Sequence, residues 1–81
     1  MTTTDHAHSC RDAGHAFSRK GNRAVALGAT ATALAWWRQA RDEYETAAAM
    51  YANAGAPALE EMARYHAREC DRTIAYNGGA A

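Results

Sequence analysis

Proline is almost missing from this sequence, Pro57 being the only one. Branched residues that favour strands are scarce too: Val25, Ile74 and a few threonines. No stretch alternates apolar and polar residues as a half-buried strand does. These absences exclude a sheet-built fold. Net charge is also lacking, because nine basic and nine acidic residues cancel. That removes the electrostatic footprint of a nucleic-acid binder and of a protein held on anionic lipid. Two cysteines, Cys10 and Cys70, are too few for a disulfide framework. There is no glycine-rich phosphate loop, no nucleophile elbow and no cluster of carboxylates. A non-enzymatic protein is therefore expected.

Long hydrophobic runs are absent as well. The most apolar segment, Ala24–Trp37, covers fourteen positions and is too short to span a bilayer. Basic residues up to Arg23 precede it, and Ala33-Leu34-Ala35 has the small-x-small form of a cleavage site. The run is mostly Ala and Thr, however, and the preceding segment is long for a secretion signal. A cytoplasmic chain is the expectation.

What the sequence does have is alanine, about a quarter of its residues. Alanine is the best helix former and loses no side-chain entropy on folding. The chain has 81 residues, which bounds it to a single domain. The expected fold is all-α, with three antiparallel helices at about 6–20, 23–54 and 57–76 around a long central helix. Asp5 or Ser9 is a candidate first cap. Gly21-Asn22 reads as the first break, and Gly28 as a weak point where the second helix can kink or break. Gly55-Ala56-Pro57 separates the second helix from the third. Residues 1–4 and 77–81 read as flexible tails.

On the second helix Trp37, Tyr44 and Tyr51 recur every seven residues, and Ala33, Ala40, Ala47 and Ala54 recur beside them. This is a heptad seam of aromatics and small residues. The third helix offers Leu59, Met62, Ala63, His66, Cys70, Thr73 and Ile74 to meet it. Arg38–Asp42, Arg41–Glu45 and Glu60–Arg64 stand at ion-pair spacing on the polar faces. The segment Tyr44-Glu45-Thr46-Ala47-Ala48-Ala49-Met50-Tyr51-Ala52-Asn53-Ala54, followed by Pro57, resembles the second helix of a tetratricopeptide repeat. The resemblance covers residues 44–57. The upstream helix lacks that family's Trp, Leu-Gly and Tyr pattern. The resemblance implies a peptide- or protein-binding scaffold.

Three sets of residues are candidates for function. His6, His8, Cys10 and His15 near the start, with His66 and Cys70 four apart near the end, are the residue types that zinc prefers. If the first helix folds back at Gly21, Cys10 lies opposite the neighbourhood of Leu34, while Cys70 lies near Arg41. Cys10, His6, His66 and Cys70 then form a candidate zinc site stapling the termini, with a Cys10–Cys70 disulfide or plain packing as the alternatives for the two cysteines. Arg11, Arg19, Lys20 and Arg23 form a modest basic cluster, a candidate for nucleic acid that the neutral net charge counts against. The third set lies in Ala24–Trp37, which carries no charge and is apolar nearly all round. Trp36 and Trp37 point about 100° apart and cannot face the same neighbour. Val25, Ala29, Thr32, Trp36 and Trp37 are accordingly candidates for a partner surface. The expectation is a protein–protein interaction module, either a homodimer or a small regulator or inhibitor of a larger complex of the phage or plasmid kind. The alternatives are a zinc-stapled domain and a weakly basic nucleic-acid-binding regulator.

Overall fold

A computed structural model describes residues 2–79 of the chain. Its three helices are α1 (Thr3–Ala26), α2 (Thr30–Asn53) and α3 (Pro57–Tyr76). The all-α, three-helix expectation holds. The first boundary differs. α1 runs straight through Gly21-Asn22 and ends at Leu27, and α1 and α2 are both 24 residues long. Met1, Ala80 and Ala81, expected in the tails, lie outside the described residues.

The chain turns at Gly28 for a local reason. Gly28 has φ +80°, which costs a residue with a side chain about 1–2 kcal/mol. The Ala29 amide donates back to the Ala24 carbonyl and the Gly28 amide to Val25, which satisfies carbonyls the helix end leaves free. The same two-bond pattern closes α2 around Gly55 and α3 around Gly78. Gly21 lacks this pattern because it serves another purpose. It is buried, and a β-carbon there would lie 2.3 Å from Trp37 Nε1. Its lack of a side chain is what admits the indole.

The N-terminal residues expected as a tail begin α1. The Thr2 hydroxyl accepts from the Asp5 amide at 3.1 Å, and the Asp5 carboxylate accepts from the Thr2 amide at 3.2 Å, a reciprocal capping box. These bonds hold the Asp5 carboxyl below the usual range. At the other end, the Asn77 side chain donates to the Thr73 carbonyl, and Gly79 lies against Ile74 and Leu34.

α1 and α3 both pack on α2 and scarcely touch each other. The molecule measures 40 × 21 × 14 Å, wider in one direction than a close triangular bundle of helices about 10 Å apart would be. The core therefore lies along α2, in three levels. Ala47 and Tyr51 meet Ala7 and Ala63; Ala40 and Tyr44 meet Ala67 and Cys70; Ala33 and Trp37 meet Ile74. The seven-residue seam of the sequence is the axis of the fold. Met62, expected on the seam, is 60 % exposed, and Ala67 takes a buried place instead. Of the expected ion pairs, Arg64–Glu60 forms at 2.9 Å, whereas Arg41 turns to Asp42 and to Asp71 of α3.

Candidate functional site

The α1–α2 interface is built from a repeated unit. At seven-residue intervals α1 carries a small residue followed by a polar one: Ala7-His8, Gly14-His15 and Gly21-Asn22. Each small residue is buried, and each pair meets one aromatic of the seam. His8 Nδ1 and Tyr51 Oη share a hydrogen bond of 2.5 Å, His15 Nδ1 and Tyr44 Oη one of 2.7 Å, and Trp37 Nε1 donates to Asn22 Oδ1 at 3.2 Å. The small residue lets the ring lie against the α1 backbone, and the next side chain binds the ring's polar atom. This matters because a buried hydroxyl or indole N–H without a partner costs about 1–3 kcal/mol. Among the described residues no buried side-chain polar atom lacks a partner.

The middle level also reaches α3. The His15 and His66 rings meet edge-to-face at 5.1 Å, and His66 lies over Tyr44 at 5.1 Å. These rings bridge α1 and α3, dividing the space between those helices into two shallow clefts. One, of about 170 Å³, is lined by Ser18, Asn22, Glu69, Cys70 and Thr73; the other, of about 260 Å³, by Arg11, Asp12, Leu59 and Met62. Both fall below the ~300 Å³ at which small-molecule pockets begin.

The electrostatics leave no activated nucleophile here. Burial pushes the Cys70 thiol up to about 11 and the Tyr44 phenol up to about 12. Both groups keep their protons at neutral pH, the opposite of what a reactive thiolate needs. Desolvation, and then the neighbouring His66, lower the pKa of His15. A neutral His15 that carries its proton on Nε2 accepts at Nδ1 the hydrogen bond of the Tyr44 hydroxyl.

The candidate zinc ligands do not converge. Cys10 packs at the level of Ala47 and Tyr51, one heptad from Cys70 at the level of Ala40 and Tyr44. The position of the turn decides on which side of Cys70 the start of α1 falls, and here it carries His6 away from Cys70 rather than towards it. Moving the fold-back from Gly21 to Gly28 moves the partner of Cys10 from near Leu34 to Ala47. There the thiol faces Glu43, which together with burial raises its pKa. His6 is exposed, His66 is held in the aromatic cluster, and both cysteines are free. No group of three or more His, Cys, Asp or Glu placed to hold a metal occurs among the described residues. Of the basic candidates, Arg11 bonds Asp12 at 3.1 Å, Arg19 and Arg23 are exposed, and Lys20 lies over Trp36 at 4.6 Å.

The candidate partner residues divide. Trp37 is 2 % exposed and belongs to the core, and Val25 packs against the same level. Trp37 offers no surface, and Val25 keeps only part of its side chain exposed. Ala29 and Thr32 are exposed. Trp36 is half-buried, stacked on Phe17 at 5.6 Å. Ala31, Thr32, Ala35, Trp36 and Gln39 line a shallow uncharged groove on the outer face of α2. Leu27, in the turn just before α2, is 80 % exposed. Among the described residues, no helix is long and apolar enough to cross a membrane. Comparison with protein families, with curated proteins and with solved structures gives no match.

Proposed function

We propose that this protein is a helical interaction module that pairs with a second copy of itself through the outer face of α2. The observation that carries the reading is the uncharged groove of Ala31, Thr32, Ala35, Trp36 and Gln39, with Leu27 beside it. Small residues at Ala31 and Ala35 let a second helix approach closely, and Trp36 supplies the apolar area that interface centres favour. Charge supports a second copy as the occupant. Lys20 at the Trp36 end and Glu43, seven residues beyond Trp36, take part in no ion pair among the described residues. Antiparallel pairing about Gln39 sets Thr32 against Thr46 and brings Lys20 of one copy to Glu43 of the other. A net charge of zero opposes no such approach.

The core gives association a thermodynamic reason. Tyr51 and Ile74 are its largest fully buried side chains, and alanines fill most of the rest. A chain of this size with a core of small residues gains stability from burying more surface. The aromatic–alanine spacing that resembles a tetratricopeptide repeat is occupied by this intramolecular packing: Tyr44, Ala47 and Tyr51 are all buried. A partner that docks on α2 therefore uses its outer face. Sedimentation equilibrium tests the proposal. A dimer that Ala35→Arg dissociates is expected. Lys20→Glu weakens it, and adding Glu43→Lys restores it. A monomer at every concentration, or a dimer indifferent to Ala35→Arg, would overturn it.

A further inference from the structure

α1 and α3 make almost no backbone contact, yet at mid-height their side chains meet through two imidazoles. His15 is fixed from below, its Nδ1 bonded to Tyr44, whose ring lies against Gly14 with no room for a β-carbon. His66 stacks over the same tyrosine and is flanked by Tyr65. Tyr44 is thus the floor on which two histidines from different helices meet. We propose that the His15–His66 contact is a pH-responsive latch between α1 and α3, closed when both rings are neutral and released when they are protonated.

The charges around the pair determine the direction. From α1, Arg11 and Arg19 face His15 and disfavour a proton, while Asp12 favours one but is bonded to Arg11. From α2, the Tyr44 phenol stays neutral and supplies no counter-charge. From α3 come His66 itself and Glu69, which lines the adjoining cleft and is bonded to Arg72. No carboxylate bonds either ring among the described residues. Protons on both rings put two positive charges about 5 Å apart in a half-desolvated site already flanked by arginines. Protonation also makes His15 Nδ1 a donor, so it can no longer accept the Tyr44 hydroxyl proton. The weakest interface in the molecule carries this repulsion, so α3 moves away from α1 and uncovers Tyr44.

The test follows ring contacts and amide protection by NMR at about pH 7.5 and about pH 5, either side of the ordinary histidine range. In the unaltered protein the nuclear Overhauser contacts between the His15 and His66 rings are expected at the higher pH and lost at the lower. Amide protection in α3 should fall with them, and by more than at the α1–α2 interface, which loses the His15–Tyr44 bond but keeps its close backbone packing. His15→Asn keeps an acceptor where Nδ1 stands, as Asn22 does one heptad further on, and cannot be protonated. Its α3 protection is expected to be the same at both pH values. His66→Gln removes the second charge and should also blunt the response, which keeps the test available if His15→Asn fails to fold. Contacts and protection unchanged at about pH 5, or a fall in either variant as large as in the unaltered protein, would overturn the latch.

Discussion

At the residue scale the most constrained positions are those with the least side chain. A β-carbon at position 21 would meet three atoms of the Trp37 indole at 2.3–2.9 Å. Two effects compete in Gly21→Ala. Alanine gains about 1 kcal/mol of helix propensity, whereas forcing a group into a packed site costs about 1–3 kcal/mol. Trp37 is 2 % exposed and bonded to Asn22, so it has nowhere to go and the steric effect wins. Gly21→Ala should lower the free energy of unfolding by up to about 2 kcal/mol in urea. Gly14→Ala should cost less, since its nearest contact, Tyr44 Cε1 at 2.7 Å, is less severe. A polar partner is a separate test. Asn22→Ala leaves the Trp37 N–H without its acceptor and should cost about 1 kcal/mol in the same measurement.

At the scale of elements, three helix ends share one hydrogen-bonding pattern, but their helix starts differ. α1 begins with a full capping box, whereas α2 and α3 begin at Ala29 and Ala56 with no side-chain cap. Thr2→Ala should cost about 0.5–2 kcal/mol, seen as fraying of the first turn of α1 by hydrogen exchange. The turn between α1 and α2 is the more consequential end because it sets the register of everything after it. Gly28 has open space around it, so Gly28→Ala introduces no clash and its cost of about 1–2 kcal/mol reports the left-handed backbone alone. A cost near zero in thermal or urea unfolding would contradict the φ of +80°.

For the whole molecule the relevant variable is pH. The pKa of His15 is lowered in the folded state, so between its folded and unfolded values the unfolded chain binds more protons. Its contribution to stability is fully present above the unfolded value of about 6.5 and is lost as pH falls through the lower folded value. Unfolding free energy measured against pH should decline below about pH 6.5, and the difference from His15→Asn should lie in that window. Acidification therefore acts on the same α1–α3 contact that the latch uses. The proposed self-association uses the outer face of α2 and is expected to be independent of His15→Asn.

Composition and periodicity determine a great deal here. The near absence of proline and β-branched residues, with abundant alanine, dictates helices; Trp37, Tyr44 and Tyr51 at seven-residue spacing dictate one buried seam. The matching α1 repeat of Ala7-His8, Gly14-His15 and Gly21-Asn22 is equally visible, but its meaning is not. Histidines near cysteines read as metal ligands, and Gly-Asn reads as a helix end, because local chemistry permits both. Only tertiary structure decides between those meanings. Gly21 is helical because Trp37 lies on it, the turn consequently falls at Gly28, and that shift of seven residues moves Cys10 between three and four helical turns along α2 from where an earlier turn would place it. A glycine's role depends on what approaches it, and that is a fact about the partner helix.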